Sequence, residues 1–184
     1  MLIKSVADPC LLAGQVSRYT VFGQSRKKSV VMEAEVKDHR SVAELHDQSF
    51  ARGWSQSEIA KLALQPNVTM LVARAVGDPD GPLLGMNIAR HTKDEAEILS
   101  IAVNPKARRR GLGDALMREM ILRLRADRIG ALLLEVDGSN VAATHLYRKL
   151  GFEKVGNRLG YYRNKSEDGT TQRSNALVMR LDLV

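Results

Sequence analysis

Apolar positions recur along this chain in two rhythms, a period of two typical of strands and a three- and four-residue spacing typical of one helical face. Ser29 to Val36 reads as a first strand. Asp38 then caps a helix running to about Phe50, with Val42, Leu45 and Phe50 as its apolar positions. Ser55-Gln56-Ser57-Glu58 has the Ser-x-x-Glu form of a capping box and opens a second helix carrying Ile59, Leu62 and Ala63. Asn67 to Val76 and Leu83 to Arg90 are two strands of a hairpin, joined by the turn-rich Gly77-Asp78-Pro79-Asp80-Gly81-Pro82. Glu97 to Val103 is almost continuously apolar, the signature of a strand covered on both faces, and Asn104-Pro105 stops it.

The third helix keeps Leu112, Ala115, Leu116, Met120 and Leu124 on one face and turns Arg118 and Arg125 away. Ala131 to Val136 is another buried strand, and Ser139 caps a helix whose stripe is Ala143, Leu146, Tyr147 and Leu150. Phe152 to Leu159 and Ala176 to Leu183 complete the set, the latter alternating Leu177, Met179, Leu181 and Leu183. The order is strand, two helices, three strands, helix, strand, helix, two strands, which predicts a mixed α/β sheet with helices on its faces. Residues 1 to 28 show no sustained period and end in Arg26-Lys27-Lys28, so they read as a basic extension to a domain spanning 29 to 184.

A length of 184 residues suits one domain, and 44% apolar with 27% charged residues is the balance of a soluble globular protein. No apolar run is long enough to span a bilayer, the N-terminus is too weak for a secretory signal, and the single Cys10 forms no internal disulfide. A cytoplasmic protein is expected, with no membrane partner. A net charge of +7 favours a polyanionic partner, whether nucleic acid, anionic membrane or a phosphate-rich small molecule, without choosing among them. His39, His46, His91 and His145 lack metal-ligand spacing and read as solvated or capping, so no metal is expected.

Chemistry concentrates in Arg108-Arg109-Arg110-Gly111-Leu112-Gly113-Asp114, directly after a buried strand and at the opening of a helix. Free main-chain N–H groups there, reinforced by the helix dipole, make an anion site that glycines let a pyrophosphate approach. The run is neither a Walker loop nor Gly-x-Gly-x-x-Gly. Taken alone it is also compatible with a basic turn that merely starts a helix, or with RNA contact through the three arginines.

Together with Glu97-Ile98-Leu99-Ser100-Ile101-Ala102-Val103, Leu134-Glu135-Val136, Ser139-Asn140, Leu146-Tyr147 and Leu150-Gly151-Phe152, this motif resembles the GNAT acetyltransferases. Gly53-Trp54-Ser55, Gly160-Tyr161-Tyr162 and Ala176-Leu177-Val178-Met179 make it most similar to the bacterial ribosomal-protein-alanine N-acetyltransferases. The resemblance covers about Ser29 to Val184. It departs from the family's pattern in the N-terminal extension and in Gly53, where proline often precedes the tryptophan.

The resemblance implies a GNAT fold: a mixed, mostly antiparallel seven-stranded sheet flanked by about four helices. It implies acetyl-CoA as co-substrate, with the main chain of Ile101, Ala102 and Val103 along the pantetheine arm. Arg108, Arg109, Arg110, Gly111, Leu112, Gly113 and Asp114 would face the pyrophosphate, and Asn140 and Tyr147 would bind further along. Glu135 falls at the base position and Tyr147 at the acid position. Trp54, Tyr161 and Tyr162 border either the acceptor groove or the core.

The implied reaction is acetylation of the α-amine of an N-terminal alanine on a ribosomal protein by direct transfer. A peptide α-amine has a pKa near 7.7–8.0, so a modest base suffices, and Glu135 in an apolar strand could be tuned by desolvation. A main-chain N–H near Val103 would steady the oxyanion. Transient proximity to the ribosome follows, with no sequence-specific nucleic-acid binding. Four readings compete with these: Glu135 as a structural carboxylate paired with an arginine, Tyr147 as core packing, and, for the whole chain, a GNAT enzyme for another amine and an RNA-binding module with a vestigial CoA site.

Overall fold

The computed structural model describes residues 20–22, 28–78, 80–165 and 171–184, with the main chain alone at 20–22, 160–165 and 171–173. Its strands are β1 (Thr20–Phe22), β2 (Ser29–Glu33), β3 (Val68–Ala75), β4 (Gly85–His91), β5 (Glu95–Val103), β6 (Ala131–Asp137), β7 (Glu153–Lys165) and β8 (Thr171–Asp182). Its helices are α1 (His39–Ser49), α2 (Gln56–Ala63), α3 (Leu112–Ala126) and α4 (Val141–Lys149). The strands form one sheet in the order β1-β2-β3-β4-β5-β6-β8-β7. Every neighbouring pair is antiparallel except β5 and β6, which run parallel across the α3 crossover. The expected fold class holds, and the seven expected strands are all present.

The eighth strand, Thr20–Phe22, lies inside the segment read as an extension and pairs with Ser29–Val31 of β2. The rest of residues 1–19 and 23–27, including Cys10, lies outside the described residues. Among the described residues no helix is long and apolar enough to cross a membrane.

Two apolar cores sandwich the sheet. On one face α3 and α4 bury Leu112, Leu116, Met120, Leu124 and Tyr147 against Val31, Ala89, Leu132, Leu134 and Met179. On the other, α1 and α2 bury Val42, Leu45 and Ile59 against Met70, Val72, Met86 and Ile88. Leu116 and Leu124 are completely buried, which contributes roughly 1.5–3 kcal/mol for each side chain.

Local signals set several element ends. In α2 the capping box forms as expected: Ser55 Oγ accepts from the Glu58 amide at 3.3 Å and the Glu58 carboxylate accepts from the Ser55 amide at 2.8 Å. Two other caps differ. Asp38 makes no side-chain cap to α1; it closes a short 3-10 turn (Val36–Asp38) that follows the end of β2 at Glu33, and its carboxylate accepts from the Glu35 amide at 2.8 Å and pairs with Arg74. Asn140, not Ser139, caps α4, accepting from the Ala143 amide at 3.1 Å, while Ser139 Oγ donates to Asp137 at 2.7 Å.

β5 is not covered evenly on both faces as its apolar run suggested. Its pairing with β4 runs Ile88↔Ser100 and then Ala89↔Ile98, so Leu99 is an extra residue, a β-bulge. The bulge reverses the alternation: Ala96 and Ile98 belong to the α3 side, and after it Ile101 and Val103 take over that side while Leu99 and Ala102 face α1 and α2.

Candidate active site

β5 and β6 pair only at Glu95↔Ala131, Ala96↔Leu132 and Glu97↔Leu133. Beyond that point no cross-strand pair joins Ile98–Val103 to Leu134–Asp137, so the two parallel strands part and leave a split in the middle of the sheet. Asn104 donates its amide to Leu84 at 2.9 Å, towards β4, so alternation along β5 turns the main-chain groups of Ile101 and Val103 into the split. The Val103 carbonyl accepts instead from Arg108 Nε at 3.3 Å. This is the unpaired strand edge that an extended amide-bearing chain would complete.

At the head of the split the chain turns through Pro105–Ala107 into α3. Asn104 Oδ1 caps that turn by accepting from the Lys106 amide at 3.0 Å. Arg109 at φ 64° and Gly111 at φ 79° bend the loop through the left-handed region. Among the described residues no protein acceptor meets the amides of Arg109 to Asp114. A Cβ built on Gly111 meets nothing within 4 Å, so open space adjoins these donors.

Of the three arginines, Arg108 braces Val103, and Arg110 donates to the Lys106 carbonyl at 3.0 Å, so both shape the loop while adding positive charge. Asp114, in the first turn of α3, binds Arg118 at 2.6 Å and Lys149 at 3.1 Å, which ties α4 to the start of α3. Burial opposes ionisation of this carboxyl, but the hydrogen bonds from Arg118 and Lys149 outweigh it and hold it below the usual range. Asn140 keeps its carboxamide oxygen on the α4 cap, which leaves the amide nitrogen as the free donor.

The other face of the split opens into a cavity of about 270 Å³ lined by Trp54, Leu62, Arg90, Glu97, Ile98, Leu99 and Glu135. A second, of about 350 Å³, shares Arg90, Glu97 and Glu135 with it and continues over Leu133, Val178 and Arg158. Glu135 therefore stands where both meet. It is not alone in an apolar setting: its side chain is 20% exposed, and Arg158 reaches across β8 to pair with it at 3.1 Å. Base and paired structural carboxylate are thus compatible descriptions of one residue. Tyr147 is buried and packs on Phe152 with ring centroids 5.8 Å apart, so it is part of the core as well as of α4.

Trp54 is half-buried: it lines the cavity and also packs against the core beneath α1 and α2. His46, expected to be solvated or capping, is buried and holds it, accepting from the Trp54 amide at 3.0 Å; His39 is buried too. Gly53 lies so close to α1 that a Cβ there would sit 2.9 Å from the Asp47 Cα, which accounts for glycine at this departure from the family pattern. Tyr161 and Tyr162 run within β7, and their side chains lie outside the described residues. Sequence reasoning missed Arg90 and Arg158, and it read Glu97 and Leu99 only as part of a strand motif, since only strand register brings these four beside Glu135.

Comparison with known proteins agrees with this geometry. The GNAT acetyltransferase family matches residues 39–152. The ribosomal protein bS18-alanine N-acetyltransferase of Escherichia coli K12 is 38% identical over 104 residues, 56% of this chain and 67% of that one. The N-alpha-acetyltransferase RimI of Mycobacterium tuberculosis is 33% identical over 141 residues, 76% of this chain and 87% of that one. The crystal structure of the ribosomal-protein-S18-alanine N-acetyltransferase from Escherichia coli superposes with a TM-score of 0.72 at 29% identity, covering 84% of this chain and 94% of that one.

Proposed function

The chain belongs to the GNAT acetyltransferase family, and from that premise we propose that it acetylates the α-amine of the N-terminal alanine of ribosomal protein bS18. Membership and its relatives make it an acetyl-CoA-dependent N-acetyltransferase. The observation that carries the finer reading is the split itself, with an unpaired strand edge on one side and a cavity floored by Glu135 and walled by Trp54 on the other.

The residues present fit the co-substrate. The unmet amides of Arg109 to Asp114 suit a pyrophosphate, the open edge of Ile101 and Val103 suits the amides of a pantetheine arm, and Asn140 offers a further donor. Acetyl-CoA supplies an acetyl group already activated as a thioester.

Glu135 accepts a proton from the acceptor ammonium, directly or through water, so that the neutral amine can attack. The α-amine has a pKa only slightly above physiological pH, about 7.7–8.0, so a modest base is enough to free it. Main-chain N–H groups around the Leu99 bulge and the open edge of β5 face the growing oxyanion, and the Tyr147 hydroxyl donates to the departing sulfur. Both reactants meet within the split, which favours one direct transfer. The enzyme works in the cytoplasm and meets its substrate at or near the ribosome, where its net charge of +7 favours approach to a polyanion.

Thiol release from acetyl-CoA tests the reading, with three acceptors compared: a peptide with the N-terminus of bS18, an unrelated protein N-terminus, and a panel of small amines. Preference for the first by at least about tenfold in kcat/KM is expected. Equal rates, or preference for a small amine, would overturn the substrate while leaving the family standing.

A further inference from the structure

The imidazole of His46 sits on α1 between two aromatic rings. It stacks on Trp54 with centroids 4.3 Å apart and planes 11° from parallel, and its other neighbour, Phe50, lies at 4.5 Å and 33°. The side chain belongs to a residue only 4% exposed, and its Nδ1 accepts from the main-chain amide of Trp54 at 3.0 Å. A main-chain N–H can only donate, so Nδ1 must be without a proton. Trp54 in turn walls the cavity that holds Glu97, Leu99 and Glu135.

We propose that His46 is the positioning residue of the acceptor-peptide pocket: as a neutral imidazole it fixes both the main chain and the indole of Trp54, and with them the wall on which the peptide lies. The inference rests on the reading that this cavity takes the peptide.

Adding a proton to Nδ1 would set two donors face to face and release Trp54 from α1. Burial holds the His46 pKa below its ordinary value, against the raising effect of Asp47 on its own helix and Glu58 on α2, with Arg52 of the intervening loop acting on Glu58. The neutral form therefore prevails at neutral pH, and peptide affinity falls as the pH drops below about 6.5.

The chain has a single tryptophan, so its emission reports on Trp54 alone. In the unmodified protein, emission followed from about pH 8 to 5 should show one transition with a midpoint below about 6.5. Saturating bS18 N-terminal peptide at neutral pH should also change the emission. His46→Leu, which removes the acceptor, should raise the peptide KM about tenfold, the order expected for loss of one hydrogen bond and its stack, with the acetyl-CoA KM unmoved. His46→Asn, whose Oδ1 can accept the same amide but which offers no ring to stack, should recover the hydrogen-bonded part of the peptide affinity and abolish the emission transition.

A flat emission profile in the unmodified protein overturns the role of His46, as does an equal rise in peptide KM for the Leu and Asn variants. An emission transition that persists in His46→Asn does the same. If emission titrates with His46 but peptide changes neither emission nor rate, the peptide-pocket reading falls and takes the proposal with it.

Discussion

Removing the charge of Asp38 should destabilise the protein far more than an ordinary polar substitution. Asp38 Oδ1 and Arg74 Nη2 are 2.6 Å apart, and the two side chains are 3% and 6% exposed. The other oxygen of Asp38 takes the Glu35 amide, and the other nitrogen of Arg74 donates to the Gly81 carbonyl, so the pair joins the start of α1 to β3 and to the β3–β4 turn. Asp38→Asn keeps the shape and an acceptor but strands a buried guanidinium, and breaking such a pair costs about 3–5 kcal/mol. With ~2–4 °C lost per kcal/mol in a protein of this size, Tm should fall by roughly 6–20 °C. Thermal unfolding followed by circular dichroism, with urea unfolding as a check, reads this directly. The double substitution Asp38→Leu with Arg74→Met should recover most of the loss, since an apolar pair of similar volume carries no desolvation penalty. A loss below about 1 kcal/mol for the single variant, the value of an exposed pair, would refute the reasoning, as would a double variant worse than either single one.

Three further outcomes are expected. Glu135→Gln should lower kcat about 10²–10⁴-fold with little change in Tm if the carboxylate is the base; a fall in Tm with kcat preserved would assign it to Arg158 alone. Gly111→Ala places a side chain at φ 79°, a conformation costing L residues roughly 1–2 kcal/mol, so the acetyl-CoA KM should rise about tenfold while the peptide KM stays put; equal shifts in both would contradict the assignment of this loop. The depressed pKa of Asp114 contributes stability that is present above the unfolded value near 3.9 and is lost as pH falls through the lower folded value. The stability gap between the native chain and Asp114→Asn should accordingly be constant at neutral pH and close below about pH 4, as measured by urea unfolding across the acid range.

Features encoded by neighbours in the chain were the legible ones. Ser55 and Glu58 are three apart, and their reciprocal cap formed as the pattern predicts. The glycine-bearing turn into α3 was equally plain, because its bend is set by consecutive residues, with Arg109 and Gly111 at positive φ. Features that depend on register or distant partners were hidden. Asp38 read as a cap because its partner, Arg74, is 36 positions away. The Leu99 bulge is invisible in a run where both faces are apolar, since alternation cannot show a slip it never displayed. Glu135 read as a carboxylate in apolar surroundings, and only the β6-β8-β7 order brings Arg158 to it. Ser139 and Asn140 are both good caps, and the choice between them depends on Asp137 taking the serine hydroxyl.

Incubating full-length bS18 with the enzyme and acetyl-CoA, and locating the acetyl group by fragmentation mass spectrometry with N-terminally blocked bS18 as control, tests the proposed transfer most directly. One acetyl group on the α-amine of the first alanine is expected, and none on the blocked protein. Acetylation confined to lysine side chains, or equal labelling of the blocked protein, would contradict that transfer.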